Sequence, residues 1–529
     1  MPDMKKELER EEIHRAIWAI ADDLRGSVDG WDFKAYVLCM MFYRFISENL
    51  SGYIEAEEIE AGNAGFRYAE LSDEDAEEAR EDMINVKGFF ILPSELFESV
   101  LKTASEHVGE GTANDLNMIV ERVLNHIEES AQGHISEGEF KGLFDDFDVN
   151  SNKLGSTVTK RNERLYRLMQ GIANMRLGDY KLSTVDGFGD AYEYLMTMYA
   201  SNAGKSGGEF FTPPEVSDLL TFLSVDGKTE VNKVYDPACG SGSLLLKSAK
   251  ILGLKNVRQG FYGQEINITT YNLCRMNMFL HDVDYDKFDI ACEDTLTAPQ
   301  HWDDEPFEVI VSNPPYSIKW AGDDDATLIN DPRFSPAGVL APKSKADMAF
   351  IMHSLAWLAP NGVASIVCFP GIMYRSGAEQ KIRKYLVDNN YVDCIIQLPP
   401  NLFFGTSIAT CIMVLKKNKA DTGILFIDAT NECVKVTNNN KLTAENIAHI
   451  LEAFRQRQDV EYFSRLVPYD EVKGQNYNLS VSTYVEQRDT REKVDIVKLN
   501  AEIAEIVARE AELRDAIESI VAEIEGTQP

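Results

Sequence analysis

The sequence predicts an α/β fold: a doubly wound, mostly parallel sheet with helices on both faces, a helical domain before it and a helical tail after it. Three observations predict it. Up to about residue 165 the apolar residues recur three and four apart, as on helices. From about 166, short apolar runs alternate with helical stretches, the texture of strand–helix–strand units. The end of the chain returns to a helical pattern with alternating spacings of three and four. The expected division is therefore 1–165, 166–486 and 487–529.

In the first segment "EEIHRAIWAIADDLRG" and "ELFESVLKTASEHV" are amphipathic, and "GLFDDFDVNSNKLGST" marks a polar connection. The second segment offers seven candidate strands: 232–236, 259–265, 287–293, 307–312, 362–369, 392–398 and 410–417. Helical patterns such as "SLLLKSAKIL" (243–252) and "NITTYNLCRMNMFLH" (267–281) separate them. In the tail, Leu499, Ile503, Ile506, Leu513, Ile517, Ile520 and Ile524 form a heptad seam interrupted by Glu510. That seam either docks on a partner's helices or folds back on its own domain.

Composition sets outer bounds. A chain of 529 residues exceeds a single core, and 44% hydrophobic with 26% charged residues is globular. The apolar run "AYVLCMMFY" (35–43) is too short to cross a bilayer, and the opening "MPDMKKELEREEIH" lacks a signal peptide's apolar stretch. Eight cysteines without a CxxC pair read as free thiols of a cytoplasmic protein, and no zinc or other metal site is expected. His281, His301 and His353 show no ligand spacing. A net charge of −34 opposes unaided nucleic-acid binding, so any grip on DNA needs a local basic patch or a partner.

The chemistry concentrates where strands end, since ligands of such sheets bind beyond the carboxyl ends. The first strand runs into "DPACGSGS" (236–243), whose small residues let the backbone turn sharply and approach a ligand. Its spacing is not that of a dinucleotide loop, and an acid at its head, Asp236, suits a cationic ligand. Glu265 ends the second strand; it can accept both hydroxyls of a ribose or cap the helix that "EINIT" opens. The fragment "GKS" (204–206) is no phosphate loop, because Tyr199 stands where that motif needs glycine. After the strand "FEVIV" comes "SNPPYS" (312–317), in which Pro314 and Pro315 end the ladder and push Asn313 toward extended backbone.

"DPACGSGS" followed downstream by "NPPY" resembles the S-adenosylmethionine-dependent adenine-N6 DNA methyltransferases. With "GKSGGEFFTPPEV" (204–216), "GQEIN" (263–267), "APKSKADMAF" (341–350), "NLFFGTSIAT" (401–410) and "RGSVDGWDFKAYVLCMMFYRFISENL" (25–50), the chain resembles the modification (HsdM) subunits of type I restriction–modification systems over nearly its whole length. The resemblance implies a Rossmann-like methyltransferase domain in which Asn313, Pro314, Pro315 and Tyr316 receive the target base. It implies that Glu209, Phe210, Phe211, Thr212, Pro213 and Pro214 wrap the donor, with Phe211 as a core aromatic the other reading. Gly240, Ser241, Gly242 and Ser243 would form the loop over the donor, with Asp236 near its amino acid moiety and Glu265 on its ribose. Asp294 would reach the donor's adenine or serve as a cap. The segment 317–347 looks like a lid over the base. The implied partners are a specificity subunit with two modification subunits, a restriction/translocase subunit, and double-stranded DNA with a flipped adenine; no membrane is implied. Two rival readings are a protein-glutamine methyltransferase, which shares "NPPY" but has a shorter chain, and a catalytically silent scaffold.

Overall fold

The computed structural model describes residues 11–20, 30–106, 115–175, 177, 188, 191, 194, 195, 212–403, 406–436, 439–487, 496–524 and 526. They divide into two units, Met1–Val485 and Glu486–Pro529.

The first unit is built on a nine-stranded sheet. Its order is β3-β2-β1-β4-β5-β7-β6-β8-β11. The strands are β1 (Val231–Asp236), β2 (Val257–Glu265), β3 (Phe288–Cys292), β4 (Phe307–Ser312), β5 (Leu358–Cys368), β6 (Val392–Gln397), β7 (Cys411–Lys416), β8 (Ile424–Asp428) and β11 (Ser464–Val467). All run parallel except β7, antiparallel to β5 and β6, and β11, antiparallel to β8. A separate hairpin pairs β9 (Val434–Val436) with β10 (Asn439–Lys441). The seven expected strands are all present; β8, β11 and the hairpin are additions.

The central strands are apolar throughout because both faces are covered. On β4, Val309 and Val311 enter one core while Ile310 enters the other. β7 alternates likewise, with Ile412 and Val414 against Met413 and Leu415. One face packs under the helices Asp347–Trp357 and Ala378–Asp388. The other carries helices Pro214–Val225, Ser243–Leu252 and Ile268–Leu280, and its core continues without a break into the N-terminal helices.

That continuity has named contacts. Phe279 of helix Ile268–Leu280 meets Phe42 at 5.9 Å and Phe140 at 5.0 Å between ring centroids. The buried Arg275 donates to the carbonyls of Gly138, Glu139 and Lys141. Helix Gly30–Glu60 carries the run 35–43, buried almost all round. The expected boundary at 165/166 falls inside helix Val158–Ala173, which is one unbroken element.

Among the described residues no helix is long and apolar enough to cross a membrane. None of the eight cysteines is in a disulfide; six are buried and Cys292 and Cys433 half-buried. Among the described residues the second unit holds one helix, Ile496–Ile524, none of whose residues is buried.

Candidate active site

The strand order places the carboxyl ends of β4, β1, β2 and β3 side by side. From β1 the chain winds outward through β2 and β3, then returns to β4 on the other flank. The crevice between β1 and β4 is therefore the switch point at which such sheets take ligands. Asp236 closes β1, Glu265 closes β2, Asp294 follows β3 and Asn313 follows β4.

The loop after β1 turns on two glycines with positive φ, Gly240 (55°) and Gly242 (80°). Gly242 has no room for a side chain, since a Cβ there would lie 2.8 Å from the Cys274 sulfur. Asn277 donates to the Ser241 carbonyl at 2.8 Å, and the Gly242 amide to that of Cys239 at 2.8 Å. Helix Ser243–Leu252 starts directly behind the loop.

Glu265 is tied on both oxygens: Oε2 accepts the Gly240 amide at 3.1 Å and Oε1 the Asn267 amide at 2.9 Å. It therefore fastens the glycine loop and also supports the helix start, where the Asn267 side chain caps Thr270. Burial pushes its carboxyl up. Asp236 is fully enclosed and accepts the Ala238 amide at 3.0 Å. Burial, and then the like charge of Glu265, lift its carboxyl to about 7. Among the described residues neither acid has a basic side chain as ion-pair partner, so this end of the crevice favours a cation. Asp294 is engaged locally, Oδ1 with the Leu296 amide and Oδ2 with the Thr297 hydroxyl, each at 2.9 Å. Both bonds stay within the turn that follows β3.

At the end of β4 the Asn313 amide is held at both ends. Its Nδ2 donates to Thr212 Oγ1 at 3.1 Å, and its Oδ1 accepts the Tyr316 hydroxyl at 2.6 Å. Thr212 thus reaches the tetrad itself, just ahead of Pro213 and of helix Pro214–Val225, which Pro214 opens. Glu209, Phe210 and Phe211 lie outside the described residues. The Tyr316 ring meets Phe403 edge-on at 6.5 Å, and burial raises its hydroxyl well above the ordinary range.

Three further residues, none of them among the expected donor or base contacts, fasten the site. Asp347 Oδ2 accepts the Ser317 amide at 3.0 Å, just after the tetrad. Arg333, in the expected lid, is buried and donates to Asp331, to the carbonyls of Thr295 and Leu296 (2.7 and 2.8 Å), and bonds His353. Thr295 in turn donates to the Pro237 carbonyl at 2.6 Å, so the lid segment, the end of β3 and the glycine loop are fastened together. The fully buried His353 is held neutral by desolvation and by Arg333. Away from the crevice, Asp289, His301 and Asp304 form the one constellation of metal-ligating types among the described residues. Lys233, 3.8 Å from Asp304, already supplies a counter-charge there.

Comparisons with known proteins identify the family to which the chain belongs. Residues 183–493 match the N-6 DNA Methylase family and residues 13–172 the HsdM N-terminal domain. The chain is 49% identical to the type I restriction enzyme MpnII methylase subunit of Mycoplasma pneumoniae, over 98% of this chain and 97% of that one. It is 33% identical to the MjaVII methylase subunit of Methanocaldococcus jannaschii, over 66% of this chain and 61% of that one. Among solved structures, the type I restriction-modification methyltransferase subunit of Streptococcus thermophilus superposes with a TM-score of 0.79 at 34% identity, covering 90% of this chain and all of that one. A strand-end acid loop, a clamped asparagine beside it and these matches lead to one conclusion: the chain belongs to the N-6 DNA methylases that form the methylase subunits of type I restriction–modification systems, S-adenosylmethionine-dependent methyltransferases.

Proposed function

We propose that this chain transfers a methyl group from S-adenosylmethionine to the N6 amino group of an adenine flipped out of the duplex, at a DNA sequence chosen by a separate specificity subunit. The observation that carries this reading is the Asn313 amide held between the hydroxyls of Thr212 and Tyr316. Adenine's exocyclic nitrogen is a weak nucleophile because its lone pair is delocalised into the ring. Acceptors on its two N–H bonds favour a pyramidal geometry that frees the pair. Asn313 Oδ1 gives one lone pair to Tyr316 and keeps the other for the amino group. The main-chain oxygen of Pro314 is the second acceptor. Pro314 and Pro315 hold both carbonyl groups before the base arrives, which is electrostatic preorganisation. The Tyr316 face receives the base once it has left the stack.

The residues of the crevice fit the donor, whose sulfonium supplies an activated methyl group, so no base has to ionise the amine first. Asp236 meets the cationic amino acid end, and Glu265 retains a lone pair on each oxygen for the ribose hydroxyls. Gly240, Ser241, Gly242 and Ser243 line the loop, and we assign the segment 209–214 to the donor and Asp294 to its adenine. The working division is an N-terminal helical part to about 165, the methyltransferase part to 486, and the tail 487–529 as a docking element. Two such chains would join one specificity subunit on DNA, with a restriction/translocase subunit added to the complex in the cytoplasm.

The test is methyl transfer from labelled donor to DNA by the chain purified with its specificity subunit. Asn313→Ala is expected to lower the rate about 10²–10³-fold while leaving donor affinity intact. A near-wild-type rate in that variant would defeat the mechanism.

A further inference from the structure

We propose that Asp347 is a positioning residue for methyl transfer, holding the outgoing half of the Asn313–Tyr316 tetrad in place for the target base. The proposal rests on the acceptor role given to that tetrad above. Ser317 follows Tyr316 directly and has a φ of 53°, a left-handed conformation disfavoured by a Cβ. Something must hold it there. Its amide donates to Asp347 Oδ2 at 3.0 Å. One residue on, the Ile318 carbonyl accepts the Ala346 amide at 2.9 Å, and the Trp320 amide donates to the Lys343 carbonyl at 3.0 Å. The turn leaving the tetrad is thus laced to the start of helix Asp347–Trp357. Asp347 contributes the side chain that reaches the residue adjoining Tyr316.

The carboxylate is an expensive group to keep in that spot. Asp347 is 5% exposed, and its Oδ1 is buried without a hydrogen-bond partner. Burial raises its carboxyl, offset by its own amide in the helix's first turn, by the Ser317 amide, and by Arg375 and Lys345 nearby. A residue needed only to fill space would not have to be an acceptor. The effect on chemistry is indirect. Tyr316 donates to Asn313 Oδ1 at 2.6 Å, so rotation at residues 316 and 317 moves the oxygen that receives the amino group.

The experiment uses the full chain with its specificity subunit, and compares Asp347→Ala, Asp347→Asn and Asn313→Ala. Asp347→Ala is expected to lower kcat about 10²-fold, the scale of a misplaced reacting geometry, with donor affinity and KM for DNA unchanged. Asp347→Asn still offers an oxygen to the Ser317 amide and is expected to recover most of the rate. An alanine variant with wild-type kcat, or an asparagine variant as slow as alanine, overturns the proposal. Amide exchange at Ser317 in the wild-type protein is a second measurement that needs no variant to fold: it must be slow, and exchange as fast as at the exposed Lys319 overturns the proposal equally. Asn313→Ala separates the two ideas. Full activity there defeats the tetrad reading, whereas an inactive Asn313→Ala beside a fully active Asp347→Ala defeats only the role given to Asp347.

Discussion

Asp236 is a carboxyl whose protonated form the fold prefers. Burial, and then the like charge of Glu265, push it up to about 7, from about 3.9 in the unfolded chain. Its stabilising contribution is therefore whole below the lower value and is lost as pH rises through the upper one. Asp236→Asn, neutral throughout, is expected to make the donor-free protein more stable than wild type by about 2–4 kcal/mol at about pH 8. The gap should narrow as pH falls, read from denaturation midpoints. A cationic donor favours the carboxylate, so wild-type donor affinity should rise from about pH 6 to about pH 8 and stay flat in the variant. Affinity independent of pH in the wild type would remove Asp236 from the donor's side. The acids at the strand ends were legible because each closes a short apolar run. Their partners were not. That Glu265 fastens the Gly240 amide, or that Asp347 reaches back thirty residues to Ser317, follows only once the sheet has brought those segments together.

At the scale of elements, the lid expected over 317–347 is fastened at its middle by one guanidinium. Arg333 bonds Asp331, two carbonyls after β3 and His353. Truncating it leaves those carbonyls and the Asp331 carboxylate short of donors. Arg333→Ala is expected to cost about 3–5 kcal/mol, as for a broken buried ion pair, measured by chemical denaturation. A loss within error of zero would mean that Arg333 does not fasten the segment. Seven strands were readable from their apolar runs. β8 and β11 were not, the first because five apolar-rich residues emerge from a polar stretch, the second because "SRLV" is too short to carry a pattern. Nor was the placement of β7 between β5 and β6 readable, since antiparallel pairing there is a property of contacts distant in sequence.

At the scale of the molecule, the heptad seam was legible as a repeat, and the structure gives it a helix of 29 residues with Leu499, Ile503, Ile506 and Ile517 each at least 44% exposed. An apolar seam of that length needs a covering surface. Removing residues from about 487 is expected to spare folding and donor binding but to weaken assembly with the specificity subunit and DNA methylation together. Size-exclusion with the partner, followed by the methylation assay, checks this; unchanged assembly would refute it. The charge of −34 adds that the isolated chain should methylate DNA poorly, because the partner must bring the cations that phosphates require. The aromatic contact of Phe279 with Phe42 and Phe140 has a different kind of consequence. Because the N-terminal helices and the sheet share one apolar core, their unfolding should be cooperative, and the catalytic half is not a portable module. Gene shuffling among relatives that exchanged the first 165 residues without helix Ile268–Leu280 would join mismatched halves of one interior. Inheritance of this subunit is therefore expected to keep the two segments together, leaving the exposed tail free to vary with whichever partner it meets.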